Sequence, residues 1–257
     1  MSIENGLLLL ATAGFLAYVV RGITGGASAI VFNALFSLLL AFGLAGGLTL
    51  LDGLYWVAVG DLVTGFVLLV TLRSQIRFEP FIVRFLVVSL PINVGATLLL
   101  PRVDNGLLTL GLGLSLVFAG LYLVLRRHAG HWDDPTLIRR ALPFGIAAGA
   151  LGGLYGMAGP VTVVYLMHAG SDPGRFRSRI TLLSVFWSSF RVGTLLLTST
   201  LSADRMIRFT LTLPFVLAGL ALGYRLHPRV SPDAFRLILG TVVGSSGAIL
   251  VVQTLTG

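Results

Sequence analysis

The sequence predicts an all-α polytopic membrane protein built from two inverted-topology repeats, each of about five helical elements. The chain has 257 residues, of which 56% are apolar and only 11% are charged, and its mean hydropathy is +0.95. Water-soluble domains do not reach this composition, whereas proteins with several transmembrane helices do. Two glycine-rich segments interrupt the apolar sequence at corresponding places and divide it into similar halves.

Ten apolar runs are the candidate helical elements. In the first half they cover residues 6–21, 28–45, 47–72, 81–100 and 106–125. In the second half they cover residues 138–155, 160–170, 179–200, 206–225 and 233–254. A transmembrane helix needs about 20 apolar residues, and most runs reach that length. In each half the first two runs are short and meet at a glycine-rich segment, so each pair predicts two tilted spans or one re-entrant hairpin. The predicted division is an N-terminal repeat at 1–125, a cytoplasmic linker at 126–137 and a C-terminal repeat at 138–257.

Matching residues in the two halves indicate the repeat. At an offset of 131 residues the first half aligns with the second in three glycine or alanine pairs and one tryptophan pair: Gly22 with Gly153, Gly25 with Gly156, Ala27 with Ala158 and Trp56 with Trp187. Pro101-Arg102-Val103 matches Pro228-Arg229-Val230 at an offset of 127. The alternative is chance identity in a chain rich in glycine, leucine and valine.

The arginines predict the orientation, because cytoplasmic loops carry an excess of positive charge. Every basic charge in the chain except histidine is arginine. If the loops alternate between ten elements, fourteen arginines fall on one side and only Arg102, Arg205 and Arg208 fall on the other. This places both termini in the periplasm and the two halves in opposite orientations. The arginines are scattered between apolar runs, so the net charge of +8 indicates orientation signals and contacts with membrane lipids, not nucleic acid.

The two glycine-rich segments are candidate binding elements. They read Gly22-Ile23-Thr24-Gly25-Gly26-Ala27-Ser28 and Gly153-Leu154-Tyr155-Gly156-Met157-Ala158-Gly159. A helix that begins inside the membrane directs unpaired N–H groups and the positive end of its dipole at whatever lies in front, which suits an anion. We expect the anion-facing residues to be Gly25, Gly26 and Ser28 from one segment and Gly156, Gly159 and Thr162 from the other, with the two hydroxyls adding donors. The alternative is close helix packing through small residues.

Three charged residues within or beside apolar runs are the other candidates. Arg191 lies inside the run 179–200, where a charge costs about 2.5–3.5 kcal/mol on insertion scales, and its guanidinium can bind two oxygens of an oxyanion. The alternative is an ion pair with Asp61, which lies inside the run 47–72. Asp61 is also a candidate proton-coupling residue. Arg21 beside the first break is either an anion contact or a side chain that extends to the membrane surface.

The two segments of the form G-x-x-G-x-(A/G)-(S/G), one near the N-terminus and one at mid-chain, resemble the TauE/SafE sulfite exporter family, also called TSUP after 4-toluene sulfonate uptake permeases. The chain length and the two-half layout fit as well. This resemblance implies transport of a small organosulfur or sulfur oxyanion, such as sulfite or a sulfonate, across the bacterial inner membrane, with export as the direction.

The predicted function is therefore a secondary transporter that moves such an anion by alternating access, with protons as the candidate coupling ion. One alternative is a passive anion channel, and the other is a membrane scaffold or enzyme. The sequence has no cysteine and no ligand-spaced histidine pair, so we predict neither a metal nor a cofactor, and no catalytic residue. The oligomeric state and the exact substrate stay open.

Overall fold

The computed structural model describes residues 3–125, 131–170, 173–198, 203–227 and 232–256, and their regular structure is entirely helical. The prediction of an all-α polytopic membrane protein is confirmed. The ten α-helices that these residues form are α1 Ile3–Thr24, α2 Ser28–Ala41, α3 Leu50–Thr71, α4 Pro80–Leu99, α5 Asn105–Leu125, α6 Asp134–Tyr155, α7 Gly159–Met167, α8 Pro173–Leu197, α9 Ala203–Leu226 and α10 Pro232–Thr256. Within the described part of the chain, six helices are long and apolar enough to span a membrane: α3, α4, α5, α6, α8 and α9.

The helices that meet at the glycine breaks are unequal in length, which differs from the expectation that both members of each pair are short. The helices α1 and α6 have 22 residues each, whereas α2 has 14 and α7 has 9. At about 1.5 Å per residue, α7 is roughly 14 Å long and α2 roughly 21 Å. Both are shorter than the hydrocarbon core of about 30 Å. Each break therefore joins a helix of 22 residues to one that is too short to span a membrane by itself.

Two helices begin earlier than the apolar pattern indicates, because their first turns are polar yet helical. The helix α6 starts at Asp134, where the side chain of Asp133 accepts a hydrogen bond from the Thr136 N–H at 3.3 Å. The helix α8 starts at Pro173, six residues before the predicted run 179–200. Residues 134–137, a third of the linker predicted at 126–137, thus belong to α6, and residues 126–130 lie outside the described part of the chain.

The helix packing has the form expected of two exchanged halves. The helix α1 packs against α9, and α6 packs against α4, while α3 packs against α8 and α5 against α10. If each helix of α1–α5 is exchanged with its counterpart in α6–α10, the α1–α9 contact becomes the α6–α4 contact. The α3–α8 and α5–α10 contacts each join a helix to its own counterpart, so the exchange leaves them unchanged. The structure thus supports the division at 1–125 and 138–257, which stays a prediction.

Two side-chain hydrogen bonds, one from each half, also correspond when the halves are exchanged. The Trp56 Nε1–H donates to the Thr212 hydroxyl at 2.7 Å, and the Trp187 Nε1–H donates to the Ser89 hydroxyl at 2.9 Å. Each acceptor is followed two residues later by an in-helix proline, Pro91 in α4 and Pro214 in α9. The matched landmark at 228–230 lies outside the described residues.

The predicted orientation in the membrane stays a prediction. Several of the arginines on which it depends are not described: Arg126, Arg127 and Arg229 lie outside the described residues, as do the side chains of Arg205, Arg208 and Arg236. Those that are described near the predicted cytoplasmic side include Arg73 and Arg175, which are both exposed. Arg102, on the predicted periplasmic side, is exposed as well.

The first glycine of each break serves helix packing. A Cβ atom at Gly22 would collide with the backbone of Leu220 in α9, and one at Gly153 would collide with the backbone carbonyl of Asn93 in α4. These two glycines therefore allow the close contacts of α1 with α9 and of α6 with α4. For this pair, the packing interpretation of the motif is the one that the structure supports.

Candidate functional site

Both glycine breaks face one small cavity between α1, α2, α3, α6, α7 and α8. Its volume of about 50 Å³ is enough for a few water molecules or one small oxyanion. The predicted site residues that line it are Arg21, Gly26, Ser28, Asp61, Gly156, Gly159, Thr162 and Arg191. Gly25 is the one predicted site residue that does not line it. Residues far apart in the sequence, from both halves, are thus brought to one place.

The first break lies between α1 and α2. Gly25 has a φ of +82° and Ala27 a φ of +65°, so the backbone turns through two left-handed residues. The Gly25 N–H donates to the Arg21 carbonyl at 2.7 Å, and the Thr24 hydroxyl donates to the Gly26 carbonyl at 2.6 Å. No side chain caps the start of α2 at Ser28, and the first N–H groups of a helix have no acceptor within it. Residues 26–30 line the cavity, which places these donors at its wall.

The second break lies between α6 and α7. Gly156 ends α6 with a φ of +71°, and the Met157 N–H reaches back to the Leu151 carbonyl at 3.1 Å. The helix α7 then begins at Gly159 without a side-chain cap. Residues 156–159 line the cavity. The starts of α2 and α7, one from each half, therefore both contribute to the same cavity.

The end of α6 is held by side chains from three other helices. The Leu154 carbonyl accepts a hydrogen bond from Arg191 Nη2 at 3.1 Å, and the Tyr155 carbonyl accepts one from Asn33 Nδ2 at 2.8 Å. The Thr97 hydroxyl is 3.3 Å from the Gly153 carbonyl. The last carbonyls of a helix have no partner within it, and a cation at that end is favourable. These contacts satisfy the end of a helix that stops inside the protein.

Arg191 has two nitrogens with unused donors at the cavity, whereas Arg21 lacks a partner only at Nε. Its side chain is only 2% exposed, and neither Nε nor Nη1 has a hydrogen-bond partner. Among the described residues, no carboxylate lies within 4.0 Å of it, so the alternative of an Arg191–Asp61 ion pair is not formed. A Cβ atom at Gly156 would lie 2.5 Å from Nη1, so the guanidinium rests directly against the left-handed glycine. Arg191 Nη2 thus holds the end of α6, and the donors at Nε and Nη1 are available to a ligand.

Arg21 is the partner of Asp61. Its Nη1 lies 2.7 Å from Asp61 Oδ1 and donates to the Ser28 hydroxyl at 2.8 Å, and its Nη2 donates to the Ser184 hydroxyl at 3.0 Å. The side chain is 1% exposed, so it does not extend to the membrane surface. At the repeat offset of 131 residues Arg191 aligns with Gly60, next to Asp61, but α1 brings a nearer arginine to the carboxylate.

Asp61 accepts two further hydrogen bonds. The Ser28 hydroxyl donates to Oδ1 at 2.6 Å, and the Tyr18 hydroxyl donates to the same oxygen at 2.9 Å. Tyr18 was not a predicted site residue. It lies three residues before Arg21 on α1, a spacing that places both side chains on one helix face, and this spacing is a signal that the sequence did contain.

The two predicted hydroxyls do not supply free donors. The Ser28 hydroxyl donates its hydrogen bond to Asp61, and the Thr162 hydroxyl donates to the Ala158 carbonyl at 2.8 Å, at the start of α7. The donors that remain at the cavity are the backbone N–H groups at the helix starts and the guanidinium N–H groups. Ser184 and Ser188 of α8 also line the cavity and were missed. In the described part of the chain, no three His, Cys, Asp or Glu side chains lie together in a way that could hold a metal ion.

A comparison with protein families yields one match that covers nearly the whole chain. The family model described as "Sulfite exporter TauE/SafE" matches residues 10–250. No curated protein and no solved structure matches the chain. The matched region includes both glycine breaks and every residue that lines the cavity.

Proposed function

The chain belongs to the sulfite exporter TauE/SafE family, a family of membrane transporters, and on that premise we propose that it carries a small sulfur oxyanion, such as sulfite or a sulfonate. The proposed binding site is the cavity between the two glycine breaks. The anion accepts hydrogen bonds from Arg191 and from the first N–H groups of α2 and α7. Transport is by alternating access, in the direction of export, across the bacterial inner membrane with both termini in the periplasm.

The observation that carries this proposal is the pair of unpartnered donors on Arg191. A buried charged group without partners is strongly unfavourable, because burial removes its water and nothing replaces it. Nε and Nη1 lie on different edges of the planar guanidinium, so each can donate a separate charge-assisted hydrogen bond to an anion beside Nη2. The site lies within a cavity that both halves form, which is where carriers with repeated halves bind their substrates.

The direct test is a binding measurement on the purified full-length protein in detergent. Sulfite, sulfate, thiosulfate and small sulfonates are added separately, and the shift in thermal unfolding is recorded for the unsubstituted protein and for R191A. We expect at least one anion to raise the unfolding temperature of the unsubstituted protein and to leave that of R191A unchanged. The control is R84A, because Arg84 is an exposed arginine of α4 that does not line the cavity.

A passive channel is the main alternative and is separated from a carrier by flux in liposomes. A carrier exchanges labelled substrate faster when unlabelled substrate is present on the opposite side, whereas a channel shows no such stimulation and conducts far faster than a carrier turns over. We expect stimulation. High conductance without it would favour the channel. If R191A and the unsubstituted protein respond identically to every anion, the cavity is not the binding site.

We further propose that Asp61 couples transport to protons. Its carboxylate lies at the cavity, and its contacts with Tyr18, Arg21 and Ser28 connect it to the start of α2. Protonation would weaken its ion pair with Arg21 and alter the charge at the site. The test is uptake or efflux of methanesulfonate, whose charge does not change near neutral pH, at several pH values by D61N, which should lose the pH dependence of the unsubstituted protein. Transport by D61N with an unchanged pH dependence would remove this proposal.

A further inference from the structure

The cavity has a small and countable set of charges. Among the residues that line it, only Arg21, Asp61 and Arg191 are charged. Arg21 and Asp61 form an ion pair at 2.7 Å, so their charges compensate each other. Arg191 has no carboxylate partner in the described part of the chain. The side chains therefore present one net positive charge to a bound anion.

The helix ends do not change this count. Each glycine break places the end of one helix beside the start of another, at Gly25–Ser28 and at Gly156–Gly159. A helix start carries about +0.5 charge and a helix end about −0.5, so the partial charges at each break cancel to a first approximation. The starts still supply directed N–H donors, which orient an anion without adding net charge.

Two other arginines of α8 are buried, Arg177 and Arg179, and neither lines the cavity. Arg179 is paired with Glu79. The Arg177 guanidinium donates to the Gly22 carbonyl at the end of α1 and lies over the Tyr224 ring, with 4.7 Å between Cζ and the ring centroid. It is fourteen residues before Arg191 on the same helix, which corresponds to about 21 Å along the axis. It does not line the cavity.

One net positive charge in a buried site favours an anion of charge −1. The cost of removing an anion from water rises with the square of its charge, so a dianion costs about four times as much as a monoanion of the same size. Its attraction to one fixed positive charge only doubles. A monoanion makes the occupied site neutral, whereas a dianion leaves an uncompensated buried charge.

We propose, on the basis of the proposed function, that this site selects monovalent oxyanions, such as hydrogen sulfite or a sulfonate, over divalent ones such as sulfate and thiosulfate. Asp61 sets this preference, because its negative charge compensates the positive charge of Arg21. When the charge of Asp61 is removed, Arg21 is released and the site presents two positive charges. The same cavity then accepts a dianion.

The described groups that face Asp61 are few. They are Tyr18 and Arg21 from α1, Ser28 from α2, and Arg191 and Ser184 from α8 at the shared cavity. The helix α9 also packs against α3, but none of its residues lines the cavity. Asp61 is the only acidic residue among the cavity-lining residues, so a single substitution changes the charge count by one.

The test compares methanesulfonate with sulfate, two tetrahedral sulfur anions whose charges are fixed at −1 and −2 near neutral pH. Binding to the purified full-length protein is measured by titration calorimetry. We expect methanesulfonate to bind at least about tenfold more tightly than sulfate. In D61N we expect that ratio to fall by at least about tenfold, mainly because sulfate binds more tightly. The control is D52N, since Asp52 lies nine residues earlier on the same helix and does not line the cavity.

A second measurement on the unsubstituted protein does not depend on the folding of any variant. Sulfite is titrated at several pH values, and its affinity should follow the fraction present as hydrogen sulfite. Two results would overturn the charge selection and leave the proposed function standing. One is that sulfate binds as tightly as methanesulfonate or more tightly. The other is that the affinity for sulfite rises with the fraction present as the dianion. Failure of every anion to bind would overturn both.

Discussion

Arg191 combines two roles that are usually divided between residues. Its Nη2 holds the Leu154 carbonyl at the end of α6, and its Nε and Nη1 stay without partners at the cavity wall. A charge in the interior of an apolar run was the sequence signal, and the structure gives it both a structural contact and free donors. In Arg21 both terminal nitrogens are used, by Asp61, Ser28 and Ser184, and only Nε has no partner.

Gly156 is predicted to be the least replaceable residue of the second break. In G156A the new methyl group would require a left-handed alanine and would press against Arg191 Nη1. We expect a loss of at least about 2 kcal/mol in the free energy of unfolding. Thermal or denaturant unfolding of the purified protein measures this loss.

The matched control for stability is G159A, three residues later in the same break. A Cβ atom there would meet only Ile30 Cδ1, at 3.7 Å, which is an ordinary contact, and its φ is not positive. We expect its stability to change by less than about 1 kcal/mol. Equal losses in G156A and G159A would show that the left-handed conformation and the Arg191 contact are unimportant.

At the scale of the helices, hydropathy predicted the elements well because lipid imposes a length on each of them. All ten predicted runs correspond to a helix. The starts of α6 and α8 were placed too late, since their first turns are polar and hydropathy carries no signal for a polar helical turn. The shortness of α7 was visible, but the full length of α1 and α6 was not.

The location of the site was predictable from the glycine breaks, whereas the pairing of its charged side chains was not. Glycines, two neighbouring hydroxyl residues and isolated charges in apolar runs identified eight of the nineteen residues that line the cavity. The partner of Asp61 depends on how α1 is rotated against α3, and no single-sequence pattern reports that rotation. Tyr18 and Ser184 were missed for a related reason, since each looks like an ordinary residue of its helix until a neighbour faces it.

Helix packing at the breaks gives a prediction at this scale. In G22A the added methyl group would collide with the α9 backbone at Leu220. Small-to-large changes in a close-packed contact typically cost about 1–3 kcal/mol, so we expect a comparable fall in unfolding free energy. G95A is the control, because a Cβ atom at Gly95 in α4 meets nothing within 4 Å. Unfolding in detergent that is unchanged in G22A would contradict the close contact of α1 with α9.

At the scale of the whole molecule, the two halves are predicted to have opposite orientations in the membrane. The chain has no cysteine, so single-cysteine variants report sidedness without background. S74C follows α3 and T198C follows α8, and both positions are exposed. Because α3 and α8 are counterparts in the repeat, we expect a membrane-impermeant thiol reagent to label T198C from the periplasm and S74C only after the membrane is opened.

Two further positions complete that experiment. N105C, at the exposed start of α5, should be labelled from the periplasm, and H131C, at an exposed position before α6, only after the membrane is opened. Labelling of S74C and T198C from the same side would mean that the halves are parallel. The matching helix contacts of the two halves would then need another explanation. The reverse pattern at all four positions would preserve the inverted repeat and reverse the predicted orientation.

The most direct measurement of the central claim is to locate a bound anion in crystals of the purified protein. Selenite is a close analogue of sulfite, and the anomalous scattering of selenium marks its position without ambiguity. We predict a peak inside the cavity, within hydrogen-bonding distance of Arg191 Nη1 and of the N–H groups at the start of α7. Selenium found only at exposed arginines, with the cavity empty at saturating selenite, would contradict the account.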